Sequence, residues 1–173
     1  LIHATDNFVK AGYPRDAESM LIVELDGTET EVNELIERVN EIAKKNKSSS
    51  IKISKNEKQR LKFWAGRKAA FPACGDMAPD YYCMDGTIPR GKLAKVLKEI
   101  GRLSKKYGLP VANAFHAGDG NLHPLIMYDA NEKNSLEKTE KFGADILKYC
   151  VKVGGVLTGE HGVGVEKREL MCE

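Results

Sequence analysis

A four-residue turn, Gly118-Asp119-Gly120-Asn121, stands between two apolar runs, residues 111–115 (VANAF) and 122–128 (LHPLIMY). Glycine, aspartate and asparagine supply the backbone conformations that reverse a chain. The two runs therefore predict neighbouring antiparallel strands joined by a tight hairpin. Further strand-like runs are residues 19–26 (SMLIVELD), 49–54 (SSIKIS), 80–88 (DYYCMDGTI) and 156–158 (VLT). Between them lie helical stretches. Thr28 with Glu31 is a capping-box pattern that opens the first. Val32, Leu35, Ile36, Val39, Ile42 and Ala43 then recur at helical spacing. A second runs over about 56–71 and carries Trp64 and Arg67, with Pro72 expected to end it. A third starts at Pro89, bears Leu93, Val96, Leu97, Ile100 and Leu103 on one face, and stops at Gly108. A fourth covers 135–153, and a last begins near Val165. Residues 1–18 mix glycine, proline and charge and read as a leading segment.

No glycine fingerprint for a dinucleotide follows the first strand. Mixed strands and helices with one hairpin predict an α+β fold, an antiparallel sheet with helices packed on one face, ferredoxin-like in plan. A doubly wound parallel sheet is the alternative. The 173 residues suffice for one domain with a core. A formal charge of +2 and no basic stripe argue against a nucleic-acid partner. Lys44, Lys45 and Lys47 suit the end of a helix dipole. No apolar run has the length of a membrane span. Cys74, Cys83, Cys150 and Cys172 match no zinc-ribbon spacing and predict reduced structural thiols in a cytoplasmic protein.

Chemistry gathers in two glycine-rich stretches. His116 and His123 flank the hairpin turn, so folding it brings two imidazoles together on one side. Imidazole is the commonest ligand of zinc and similar metals. Gly159-Glu160-His161-Gly162 offers a third ligand, either Glu160 or His161, and two histidines with one carboxylate make a recognised open catalytic arrangement. Adjacent acid and imidazole also allow separate roles, one binding metal while the other points elsewhere and moves a proton. Spacing leaves Arg67 anonymous, although an arginine can clamp a carboxylate through two parallel hydrogen bonds. Asp119 makes the turn. Tyr81 and Tyr82 read as sheet residues, and Asp85-Gly86 as a bulge or bend in the strand.

The stretches WAGRKAAFPA, PDYYCMDGTIPR, VANAFHAGDGNLHPLIMYD and GGVLTGEHGVGVEKREL, in this order, resemble the C-terminal domain of FAD-linked oxidases of the vanillyl-alcohol oxidase superfamily. Within it they are most similar to the glycolate oxidase D-subunit and D-lactate dehydrogenase group. The resemblance implies that residues 1–173 form the substrate, or cap, domain, with the N-terminal FAD-binding domain absent from this chain. It implies His116, His123 and Glu160 as ligands of a divalent zinc, manganese or iron ion. It implies His161 as the base that takes the substrate's hydroxyl proton, and Arg67 as the partner of its carboxylate. Asn121, Gly159 and Gly162 match the cofactor-side motif positions. The implied activity is oxidation of a small 2-hydroxy acid, with hydride passing to FAD held mostly by the missing domain. Some family members carry a lysine where this chain has Tyr82-Cys83-Met84, so a monocarboxylate such as glycolate or D-lactate is expected rather than a dicarboxylate. Companion flavin-domain and iron–sulfur subunits are implied partners, and a cytoplasmic place, or one at the inner face of the membrane, is implied with them. Two other readings of the same residues are a stand-alone metal hydrolase, active without flavin, and a ferredoxin-like binding module with a closed structural metal.

Overall fold

Thr28 opens a helix as its sequence requires. Its side-chain oxygen accepts from Glu31 N, and Glu31 Oε2 accepts from Thr28 N at 2.8 Å. A computed structural model describes residues 1–172, and the chain divides into two units, residues 2–69 and residue 1 with residues 70–173.

The first unit holds α1 (Ile2–Val9), α2 (Glu29–Lys45) and most of α3 (Glu57–Ala73). The leading segment is thus partly helical. Asp6, near the end of α1, accepts from Gly12 N and Tyr13 N and folds the following turn. Tyr13 is buried here, donating from Oη to Phe63 O at 2.7 Å and accepting from Gly66 N at 2.8 Å. Pro72 lies inside α3 rather than beyond it. A proline removes one donor and crowds the carbonyl four residues back, and in the last turn the helix is already ending, so the break comes one residue later.

Residues 19–26 and 49–54 form no strand. Leu21 is 71% exposed and Ile53 50%. Strand preference measures packing on a pleated, half-buried surface beside a hydrogen-bonded neighbour, and these runs have no ladder partner among the described residues. Helix α2 likewise buries none of its residues, although its apolar stripe is well formed.

The second unit is built on β1 (Asp80–Cys83), β2 (Gly86–Thr87), β3 (Val111–Asn113), β4 (Asn121–Leu122) and β5 (Pro124–Tyr128), with α4 (Leu93–Tyr107) and α5 (Ser135–Lys152). The main sheet has the order β1-β5-β3, both pairings antiparallel, and a short ladder joins β2 to β4. The α+β class and the hairpin are as expected. Tyr82 and Val111 flank Ile126, and this face packs on Val96, Ile100, Leu103, Phe142 and Ile146 of α4 and α5. Cys83 and Ala112 flank Leu125 on the opposite face, where Phe71 and Cys74 gather. With both faces covered, β5 is buried over Pro124–Met127. Gly108 takes the left-handed conformation that closes α4.

Two expectations near the C-terminus are corrected. Val156 makes a single bridge to Thr87 in place of a strand, and the segment after Val165 yields only a 3-10 turn at Arg168–Leu170.

Candidate metal centre

The hairpin turn closes on itself through backbone bonds. Asp119 N and Gly120 N both donate to His116 O, and His116 N donates to Asn121 O. Gly120 sits at φ +75°, and a Cβ there would meet Ile88 O at 2.1 Å, so only glycine fits. The turn brings the imidazoles of His116 and His123 to 5.5 Å between centroids, at 83° to one another. His123 is buried on the Phe71 side of the sheet, at 6.3 Å from that ring, while His116 is exposed.

The second glycine-rich loop completes the cluster. Glu160 Oε1 lies 2.8 Å from His123 Nε2. Ligand atoms of His116, His123 and Glu160 all fall within 4.8 Å of one another. The His161 ring stacks on His123, with centroids 5.0 Å apart and planes 15° apart. Glu160 and His161 thus both lie against His123, where one of them was expected to point elsewhere. Gly159 permits this approach, since a Cβ there would meet Asn121 Oδ1 at 2.2 Å and Thr87 Oγ1 at 2.6 Å. Gly162 N donates to Thr158 Oγ1 at 2.9 Å. Asn121 Oδ1 and His123 Nδ1 are buried and make no hydrogen bond with the described residues. Burial pushes the His123 imidazole below its ordinary value against the pull of the Glu160 carboxylate, toward the neutral form that ligates.

Two imidazoles, one of them buried with a ring nitrogen that has no hydrogen-bond partner among the described residues, and a carboxylate fit a divalent cation. A second set, Cys83 with His123 and His161, also lies within 4.8 Å. It fits less well. Ring nitrogens donate in the ring plane, and these two rings are stacked nearly parallel. Burial also pushes the Cys83 thiol up to about 12, against thiolate formation.

Sequence reasoning missed two residues. Asp85, read as a bend, is fully buried and accepts at Oδ2 from Gly159 N (2.7 Å), Glu160 N (2.6 Å) and His161 N (3.0 Å). Lys167 is buried with it, and its ammonium bonds Asp85 Oδ1 and, at 2.8 Å, Asp85 O. Burial alone would raise the Asp85 carboxyl, but these N–H groups and the ammonium hold it well below the usual range. Arg67 is half-buried on α3 in the first unit.

Fold and site together define an α+β domain that gathers two imidazoles and a carboxylate beside a small antiparallel sheet. The chain belongs to the family described as FAD linked oxidases, C-terminal domain, whose model matches residues 1–173. It is 55% identical over 171 residues to the glycolate oxidase subunit GlcD of Escherichia coli K12, covering 99% of this chain and 34% of that protein. The protein of the same name from Bacillus subtilis is 33% identical over 162 residues, covering 94% and 34%. A probable mitochondrial D-lactate dehydrogenase of Danio rerio is 28% identical over 177 residues, covering 100% and 35%. The chain spans about a third of the length of these relatives. No helix among the described residues is long and apolar enough to cross a membrane.

Proposed function

We propose that this chain is the substrate- and metal-binding domain of a flavin-dependent 2-hydroxy-acid oxidoreductase that converts glycolate or D-lactate to the 2-oxo acid. The observation that carries the reading is the convergence of His116, His123 and Glu160 beside the stacked ring of His161. The names of the relatives support it, since glycolate and D-lactate are both small 2-hydroxy acids.

His116, His123 and Glu160 would hold the divalent cation, and zinc, manganese or iron suits such a donor set. The cation, when bound, supplies Lewis acidity toward the hydroxyl oxygen, and FAD supplies the two-electron acceptor. His161 takes the hydroxyl proton. Its ring is 44% exposed, open to substrate on one side and stacked on His123 on the other. Asn121 presents a buried, unfilled acceptor beside Gly159, and Asn121, Gly159 and Gly162 are assigned to the side that meets the cofactor. Arg67 is assigned the substrate carboxylate, which its planar fork matches with two parallel bonds. The name of the Escherichia coli relative is that of a subunit, which supports assembly with companion subunits; flavin-domain and iron–sulfur subunits are the companions proposed.

Elemental analysis of the purified complete protein tests the metal assignment. About one divalent ion per chain is expected, lost in the His116→Ala/His123→Ala double variant. An equal metal content in the two proteins would overturn it. His161→Ala should abolish most turnover and keep the metal. Metal loss in that variant would refute the division of roles.

A further inference from the structure

We propose that Asp85 is a positioning residue of this site, setting where Glu160 and His161 stand by holding their backbone from beneath. The inference rests on the metal reading above and adds the group that makes its geometry possible.

The loop that carries Glu160 and His161 has little else to fix it. Residues 159–162 are exposed, and the nearest sheet pairing is the single Val156–Thr87 bridge. Yet consecutive N–H groups of Gly159, Glu160 and His161 all converge on one carboxylate oxygen, and the Thr158 hydroxyl reaches the other at 3.1 Å. Successive backbone N–H groups turned to one side form a concave anion site. Here the anion is a side chain of the same protein, from 74 to 76 residues earlier in the chain.

Asp85 is itself rigidly placed. Cys83 pairs with Leu125, Met84 N donates to Pro124 O, and Gly86 pairs with Leu122. These partners flank His123, which lies between β4 and β5. One carboxylate therefore ties the Glu160–His161 loop to the segment that bears the buried histidine. Lys167 closes the arrangement from below, donating to both the side chain and the backbone carbonyl of Asp85. An asparagine would keep the shape but turn an amide NH2 toward either the ammonium or the loop N–H groups, so at least one buried donor would lose its acceptor.

Zinc titration of the complete protein after chelation, with residue-resolved amide hydrogen exchange, tests this. In the wild type the amides of Gly159, Glu160 and His161 should exchange far more slowly than free peptide, despite their exposed loop. Asp85→Asn should weaken zinc binding by about 10–100-fold, the loss expected for groups that orient ligands, and release those amides. Thr158→Val, which removes the hydroxyl's bond to Asp85 and the acceptor of Gly162 N but leaves the three loop N–H bonds to Asp85 in place, should weaken it by a smaller factor and leave the amides of β5 protected. Zinc affinity in Asp85→Asn within about twofold of wild type, or wild-type loop amides exchanging at free-peptide rates, would overturn the proposal. If Asp85→Asn does not fold, the wild-type exchange and Thr158→Val decide. A wild type that takes up no zinc, manganese or iron overturns the metal reading separately, and the anchor then stands or falls on the exchange of the three amides.

Discussion

Two aspartates, one in each unit, do the same task at different range. Asp6 and Asp85 are both buried, both accept from backbone N–H groups of a loop, and both meet a cation. Asp6 reaches Gly12, Tyr13 and Arg15, no more than nine residues on. Asp85 reaches Thr158 to Lys167, 73 to 82 residues on. The cations differ as well, since the Arg15 side chain is 50% exposed and that of Lys167 only 4%. A local anchor shapes its own turn and leaves its cation in water. A long-range anchor joins two segments and shuts its cation away, so its loss exposes a larger penalty.

The largest expected effect follows from that difference. Asp85→Asn should destabilise the protein by about 3–5 kcal/mol, as expected when one member of a buried ion pair is removed and the other is stranded. Denaturant unfolding of the complete protein measures it. A loss under about 1 kcal/mol would mean that Lys167 finds water or another acceptor, and the contrast with Asp6 would collapse.

Gly159→Ala tests the same loop without touching any charge. Its new Cβ would strike Asn121 Oδ1 and Thr87 Oγ1, both on the rigid ladder between β2 and β4. The loop must then move outward, at about 1–3 kcal/mol for such overpacking. Glu160 should leave His123, seen as a changed chemical shift of the His123 ring. An unchanged ring signal with unchanged stability would show that the loop is looser than its carboxylate anchor implies.

The range of an interaction also explains which features were legible in the sequence. The His116–His123 pair could be read because a turn of a few residues dictates it, and so could the Thr28 capping box and the apolar stripe of α4. Residues 19–26 misled, because their β-branched run specifies a strand only beside a partner that no local pattern reveals. The same limit hid Asp85. Nothing near Asp85-Gly86 signals an acceptor for a loop more than seventy residues away, and Lys167 looks like any surface lysine in its charged surroundings. Cys83 beside His123 could have been found from strand register, had the pairing of Cys83 with Leu125 been known.

Asp6→Asn should cost less than Asp85→Asn, because the guanidinium it abandons is already half in water. Its melting temperature should fall by a smaller amount, and the disturbance should stay within residues 6–15. A fall as large as that of Asp85→Asn would show that the turn at Tyr13 supports more of its unit than its own hydrogen bonds suggest, through the Tyr13 contacts to Phe63 and Gly66.

Acid separates the two anchors with the smallest perturbation. The Tyr13 N–H and the Arg15 side chain, against an opposing effect of burial, hold the Asp6 carboxyl below its ordinary value. Asp85 is held much further below. A carboxyl depressed in the folded state contributes its full stability above the unfolded value, about 3.9 for aspartate, and loses it as pH falls through the folded value. Both anchors should therefore be intact at neutral pH. On acidification the Gly12 and Tyr13 amides should lose protection first, while those of Gly159, Glu160 and His161 persist to lower pH. Simultaneous loss would mean that the two loops unfold as one cooperative unit and that range and burial do not grade them. The reverse order would mean that the buried ammonium of Lys167 does less for Asp85 than the half-exposed Arg15 does for Asp6.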